Sequence, residues 1–102
     1  MNISHILEAF YAIADKEGWH GHHTPKNLAA AISVESAELL EQFMWLEDGN
    51  ELTETQKQAV GQEIADVAMY LVVLCDKLGL SIDEVIANKL ALNAQRHTKT
   101  TK

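Results

Sequence analysis

Interruptions of regular structure are scarce in this sequence, and that scarcity is its strongest constraint on the fold. One proline and five glycines are distributed over 102 residues. Both residue types break helices, and no long stretch alternates apolar and polar residues as a half-buried strand would. The sequence therefore predicts an all-α protein. We expect residues 1–102 to form a single domain, with residues 98–102 as a frayed, polar tail.

Periodicity and stop signals predict four helical segments. The predicted ranges are residues 4–16, 27–46, 53–78 and 81–97, separated by a histidine-rich loop, an acidic loop and a glycine turn. Thr53 and Gln56 have the spacing of a capping box at the start of the third helix. Ser81 and Glu84 repeat this spacing at the start of the fourth helix. Four helices with short connections indicate a four-helix bundle-like protomer.

The third predicted helix is apolar on nearly all sides between Ile64 and Leu74. Such a helix must be covered on several sides, and the other three helices of so short a chain do not suffice to cover it. We therefore expect oligomerisation to complete the fold, as a homodimer or a dimer of dimers. The run Val67–Leu74 is too short to span a bilayer, and we expect no membrane partner.

The charge balance argues against one class of partner. A formal net charge of −7 is unfavourable for binding the backbone of a nucleic-acid polymer. One small polyanion can still bind if divalent cations bridge it to the protein. Polar residues interrupt the start of the chain too often for a secretory signal, so a cytoplasmic location is the default expectation.

Two acidic pairs carry the most chemical information. Glu35 and Glu38 stand three residues apart on the second predicted helix, and Glu63 and Asp66 have the same spacing on the third. Residues at this spacing share a helix face. Because a short loop joins the two helices, we expect them to be antiparallel neighbours whose acidic pairs face each other.

The surroundings of Asp66 favour a bound cation. Its neighbours in the sequence are apolar, namely Ile64, Ala65, Val67 and Ala68. An uncompensated carboxylate in such surroundings costs several kcal/mol, and a divalent cation removes that cost. Oxygen ligands without cysteine favour magnesium, with manganese as a substitute, over zinc. The alternative remains open that these acids face solvent or pair with Lys and Arg.

These residues resemble a known family. The segment Val34–Trp45, followed by Glu63–Val67, is similar to the MazG-like all-α nucleotide pyrophosphohydrolases, whose hallmark is Glu-x-x-Glu and then Glu-x-x-Asp. The nearest subgroup is the small dCTP pyrophosphatases. The likeness extends from about Trp19 to His97. Ala37 and Met44 replace the subgroup's usual glycine and glutamine, which bears on base preference and leaves the acidic residues intact.

The resemblance implies an enzyme, a nucleoside triphosphate pyrophosphohydrolase. It implies magnesium-dependent hydrolysis of (deoxy)nucleoside triphosphates between the α and β phosphates, giving a nucleoside monophosphate and pyrophosphate. It also suggests house-cleaning of the deoxynucleotide pool with a dCTP-like preference. The implied metal ligands are Glu35, Glu38, Glu63 and Asp66. The group that orients water or takes its proton would be Glu38, although the sequence does not distinguish it from Glu35.

The resemblance also supplies candidate substrate contacts. These are His23, Asn27, Trp45, Tyr70, Lys89, Asn93 and Arg96. Lys89 and Arg96 can neutralise outer phosphates, and the rings of Trp45 and His23 can stack on a nucleobase. Packing in a core or interface is an equal alternative for Trp45. In the family such sites form between subunits, so contacts can come from different chains.

Three other interpretations compete with this one. A di-iron bundle needs two Glu-x-x-His motifs on separate helices, and only Glu17–His20 matches, across Gly18. A zinc site at the histidines of the first loop lacks the rigid spacing of such sites. A non-catalytic helical dimerisation or regulatory module is the main alternative, and it predicts that Glu38 and Asp66 matter only for folding.

Overall fold

Four α-helices and one short 3-10 turn make up the computed structural model of the chain. The structure describes residues 1–47 and 49–100, and the side chains of those up to Arg96. In chain order the elements are α1 (Ile3–Glu17), a 3-10 turn (His20–His22), α2 (Pro25–Glu41), α3 (Glu54–Lys77) and α4 (Ile82–Thr100). No strand occurs within these ranges. The predicted all-α class with four helices is confirmed.

Local signals in the sequence account for most helix ends. The Thr53 hydroxyl accepts a hydrogen bond from the Gln56 N–H (3.1 Å), and the Gln56 side chain accepts one from the Thr53 N–H (2.8 Å). This capping box satisfies donors at the start of α3, as predicted. Helix α1 ends at Gly18, whose φ of 70° lies in the left-handed region that favours glycine. The Ser81 hydroxyl accepts a hydrogen bond from the Glu84 N–H at 3.4 Å.

Both predicted ends of the second helix were wrong. Helix α2 begins two residues before the predicted Asn27, because Thr24 caps it and Pro25 fits the first turn. It ends at Glu41 and not at Leu46, since the chain continues in tighter turns in which the N–H groups of Phe43, Met44 and Leu46 bond three residues back.

Helix α4 continues past the predicted end at His97, as far as Thr100. The predicted frayed tail therefore begins inside this helix, and its last two residues, 101 and 102, lie outside the described residues.

The protomer is an open arrangement built on a helical hairpin. Helix α2 packs along α3, while α1 and α4 each contact α3 over a shorter stretch. The radius of gyration is 16.9 Å, whereas a compact domain of this size has a radius of about 13 Å. The helices therefore do not close a four-helix bundle within one protomer.

Few apolar side chains are fully buried in this arrangement. Those that are buried among the described residues are Ala14, Leu28, Val60, Val72 and Val73. Large apolar side chains remain exposed on α3 and α4, among them Ile64 (53%) and Leu90 (63%). The expectation that one chain leaves α3 incompletely covered is confirmed. The partner subunit that would cover it stays a prediction.

Helix α3 also has the length and the apolar composition of a membrane span, which no other helix in the described ranges has. A helix at the centre of a soluble assembly satisfies the same criteria. Glu63 and Asp66 stand near the middle of α3, and charged side chains at that depth of a bilayer are costly. We therefore still expect α3 to be covered by protein.

Candidate metal centre and adjoining cleft

Carboxylates from two helices converge on one point of the α2–α3 hairpin. Glu35 extends from α2, and Glu63 and Asp66 from α3, and one oxygen of each lies within 4.8 Å of those of the other two. All three side chains are half-buried. The geometry follows from the sequence, because Glu63 and Asp66 share a face of α3 and α2 packs against that face. The two acidic helix faces thus meet as predicted.

No basic side chain among the described residues compensates the charge of the cluster. The Oε2 atoms of Glu35 and Glu63 are buried and accept no hydrogen bond. The ion pairs of the described residues are His20–Asp15 and Lys57–Glu54, and neither involves the cluster. The alternative that these acids pair with Lys or Arg therefore does not fit the structure.

Two carboxyls at this site, Glu35 and Glu38, bind protons more tightly than isolated carboxyls do. The pKa of Glu35 is raised, chiefly by a side-chain hydrogen bond with Glu63 and then by burial. The pKa of Glu38 is raised, chiefly by a side-chain hydrogen bond with Glu35 and then by the charge of that residue. Ionised carboxylates only accept hydrogen bonds, so these bonds form only when one partner is protonated. The fully ionised cluster therefore leaves its oxygens unpartnered.

The donor set suits a hard divalent cation. Two oxygens on opposite sides of a magnesium ion lie about 4.2 Å apart, slightly less than the 4.8 Å within which the three carboxylate oxygens lie, so small side-chain rotations would bring all three to one ion. Carboxylate oxygens without sulfur favour magnesium or manganese over zinc. Glu38 stands outside this group of three and is linked to it through Glu35.

A cleft of about 400 Å³ adjoins the cluster between α1 and α3. Asp66 lies at its edge, so the cleft and the acidic cluster are continuous. Its walls are mainly apolar and aromatic, and include Phe10, Trp19, Met69 and Tyr70. Sites for small organic ligands are typically concave and apolar with a few polar groups. The arrangement can therefore hold a flat ring beside a metal-bound polyanion.

His23 belongs to an aromatic group at this cleft. Its ring centroid lies 5.2 Å from that of Phe10, 6.0 Å from that of Trp19 and 6.5 Å from that of Tyr70. Burial lowers the pKa of His23, with smaller contributions from the charges of Lys77 and nearby histidines. Its Nδ1 atom is buried without a hydrogen-bond partner. The lowered pKa favours the neutral imidazole, whose Nδ1 is closed off from solvent.

Tyr70 links the aromatic group to the acids. Burial raises the pKa of its hydroxyl, and the negative charges of Glu35 and Asp66 raise it further. Those charges act on Tyr70 because it stands one helical turn beyond Asp66. Of the predicted substrate contacts, Tyr70 lines the cleft in one protomer, and His23 packs against three of the rings that line it.

The other predicted contacts lie elsewhere in one protomer. Trp45 is 89% exposed beyond the end of α2, in a groove of about 260 Å³ that it shares with Glu41, Gln42, Leu46 and Gln56. Asn27 is exposed in the first turn of α2. Lys89, Asn93 and Arg96 lie on α4, and no ion pair among the described residues joins the two basic side chains to the acids. Their roles stay predictions.

Helix α1 supplies cleft residues that the sequence did not assign to a site. His5, Phe10 and Ile13 of α1 line the cleft. Trp19 also lines it. An apolar stripe looks the same whether it faces a core or a cleft, and what distinguishes the two is the long-range packing of α1 on α3.

Comparisons with known proteins agree with this geometry. A sequence model described as the MazG-like family matches residues 30–102. The structure is similar to a pyrophosphatase from Archaeoglobus fulgidus DSM 4304, with a TM-score of 0.84 and 40% identity, covering 91% of this chain and 89% of that one.

Curated relatives include dCTP pyrophosphatase 1 from Homo sapiens, 30% identical over 88 residues, and from Bos taurus, 27% identical over 88 residues. Each alignment covers 82% of this chain and 52% of the relative. The chain thus spans about half the length of these relatives.

Proposed function

This chain belongs to the MazG-like family, and we propose that it is an enzyme that hydrolyses nucleoside triphosphates between the α and β phosphates. The products would be a nucleoside monophosphate and pyrophosphate. The observation that carries the proposal is the convergence of Glu35, Glu63 and Asp66, without a protein cation, beside an aromatic cleft. The names of the relatives, dCTP pyrophosphatase and pyrophosphatase, support it.

Glu35, Glu63 and Asp66 would hold magnesium, or manganese in its place, with Glu38 adjacent. A bound ion would polarise the phosphorus under attack and lower the pKa of a coordinated water. The chain itself is acidic, with a formal net charge of −7, and repels a triphosphate unless cations intervene. The proposal therefore makes activity dependent on added divalent metal.

Glu38 is the proposed general base. It stands outside the group of three converging carboxylates, and its raised pKa brings it closer to neutrality, where a carboxylate accepts a proton more readily. The Glu38 carboxylate would take a proton from the attacking water while the water oxygen bonds to phosphorus. The bridging oxygen would then leave with the pyrophosphate.

The aromatic cleft is the proposed site for the nucleobase. Phe10, Trp19 and Tyr70 line the cleft and offer ring faces for stacking. His23 packs against all three rings. We propose deoxynucleotides as substrates, with a dCTP-like preference and a role in cleaning the nucleotide pool. The names of the curated relatives support dCTP.

A second copy of the chain would complete the site, in a homodimer or a dimer of dimers. The exposed apolar faces of α3 and α4 and the open shape of the protomer support this proposal. Trp45, Asn27 and the α4 side chains Lys89, Asn93 and Arg96 would then reach the substrate from their own or the neighbouring protomer. The basic side chains would neutralise the outer phosphates.

Product analysis tests the proposal against the non-catalytic alternative. The purified protein would be incubated with deoxynucleoside and ribonucleoside triphosphates, with magnesium and separately with excess chelator. We expect monophosphate and pyrophosphate only when magnesium is present. Diphosphate with orthophosphate as products, or no turnover of any triphosphate, would reject the proposed reaction and favour a dimerisation or regulatory module.

A further inference from the structure

A second polar cluster joins the ends of α1 and α3, away from the acidic site. The Tyr11 hydroxyl donates a hydrogen bond to Oδ2 of Asp76 at 2.5 Å. The Tyr11 ring stacks on His20, with centroids 6.1 Å apart and planes inclined by 30°, and the Lys77 ammonium lies 5.1 Å from the Tyr11 ring centroid. The His20 ring nitrogen is hydrogen-bonded to the Asp15 carboxylate. The cluster thus holds the His20 side chain against α1, and the Tyr11–Asp76 bond joins this part of α1 to the end of α3.

The Tyr11 hydroxyl has a raised pKa. Burial, followed by the hydrogen bond to Asp76 and the charge of that carboxylate, raises the pKa of Tyr11 to about 12. The hydroxyl therefore stays protonated, and stays a donor to Asp76, at any physiological pH. Tyr11 is thereby fixed in the orientation in which its ring supports His20.

The backbone connects this cluster to the cleft. The His20 carbonyl accepts a hydrogen bond from the His23 N–H at 3.3 Å. The ring of His23 packs 5.2 Å from Phe10 at the cleft. Restraining the side chain of His20 therefore restrains the peptide group that orients His23.

The chain at this point needs such a restraint. The turn His20–His22 contains Gly21 and follows Gly18, and glycine loses more conformational freedom on ordering than any other residue. The turn contains three residues, too few for a self-sustaining helix. Contacts from outside the turn must therefore hold its conformation.

We propose that Tyr11 and Asp76 act together with His20 as a latch that positions His23 at the cleft. These are positioning residues, because they act on the substrate only through His23. The inference rests on the proposed function for its link to substrate. Tyr11 and His20 precede residues 30–102, the part that the MazG-like family model matches, whereas Asp76 lies within it.

Kinetics of conservative variants test the latch. Tyr11→Phe removes the hydroxyl and keeps the ring that stacks on His20, and Asp76→Asn weakens the same bond from the other side. Each variant should raise KM for the best triphosphate about three- to tenfold, the range expected for losing one hydrogen bond. The kcat value should stay within about twofold, because His23 does not touch the proposed metal ligands.

The double variant shows whether Tyr11 and Asp76 affect KM through one shared bond or independently. The double variant Tyr11→Phe/Asp76→Asn should raise KM no further than either single variant, because both remove one bond. Lys57→Gln, which breaks the exposed ion pair with Glu54, is the matched control and should leave KM unchanged. Unchanged KM in both single variants, or equal loss of kcat and thermal stability, would overturn the proposal.

Hydrogen exchange gives a readout that does not depend on activity. The amides of His22 and His23 bond to the carbonyls of Trp19 and His20. In Tyr11→Phe they should exchange about three- to tenfold faster, while amides in the middle of α3 keep their rates. Unchanged exchange would reject the latch even if the enzyme is active. Faster exchange in a protein that hydrolyses no triphosphate would support the latch and reject the proposed function.

Discussion

Helix α2 has different surroundings in its middle and at its end. In the middle, Glu35 is half-buried against α3 and meets Glu63 and Asp66. Just beyond the end, Trp45 is 89% exposed and touches no part of the cleft. Both regions belong to the same stretch of sequence that resembles the family. The acidic group thus forms within one protomer, whereas Trp45 has little packing around it there.

The two regions differ in which contacts determine their surroundings. The acidic cluster depends on two i, i+3 pairs and on one helical hairpin, which are local features of a single chain. The surroundings of Trp45 would have to come from another element or another molecule. We infer that the metal centre is preorganised in the protomer and that the remaining substrate contacts form on assembly.

The largest expected effect comes from the middle of the hairpin. Asp66→Asn should lower kcat/KM at least about a thousandfold, because the site loses several kcal/mol of metal-dependent charge stabilisation. Thermal stability without magnesium should not fall, since the substitution removes a carboxylate that the protein leaves unpaired. Steady-state kinetics and thermal melts measure both quantities. Near-normal turnover in Asp66→Asn would mean that the metal site is wrongly placed.

Separate substitutions of Glu38 and Glu35 test whether Glu38 is the general base and Glu35 a metal ligand. If Glu38 is the general base, kcat should fall about a hundredfold while magnesium still binds, because general bases contribute at least that factor. Glu35→Gln should instead weaken magnesium binding, since Glu35 belongs to the converging group. Magnesium titrations monitored by activity and by calorimetry distinguish the two. The reverse pattern would exchange the roles assigned to these residues.

At the exposed end, Trp45→Ala should raise KM about tenfold, as expected for losing one ring that stacks on a base. The melting temperature of the separated monomer should hardly change, because the side chain is exposed there. Glu47→Gln, also exposed beyond α2, serves as the control. An unchanged KM would show that Trp45 has no part in substrate binding.

The contrast between these two regions also explains which features could be predicted from the sequence. The acidic convergence and the Thr53 capping box were predicted because both depend on residues three apart on one helix. The end of α2 at Glu41 was not predicted, because the apolar residues after it continue the helical pattern. These residues lack packing partners in the protomer. The cleft was also missed, because it forms only where α1 packs on α3.

The smallest expected effect concerns pH. The raised pKa values of Glu35 and Glu38, due first to hydrogen bonds with Glu63 and Glu35 respectively, mean that the folded state binds protons more tightly than the unfolded state. The metal-free protein should therefore gain stability as pH falls from neutrality through these raised pKa values. Magnesium affinity should decline over the same range, since protons and the ion compete for the carboxylates. Melting temperatures recorded against pH, with and without magnesium, check both trends.

Calorimetric titration of magnesium into the purified protein tests the central claim most directly. We expect saturable binding accompanied by proton release in the wild type and in Asp83→Asn, whose substitution lies on α4 outside the cluster. Binding should be lost in Asp66→Asn and strongly weakened in Glu35→Gln. Equal magnesium affinity in the wild type and Asp66→Asn would contradict the assignment of the metal to the α2–α3 hairpin.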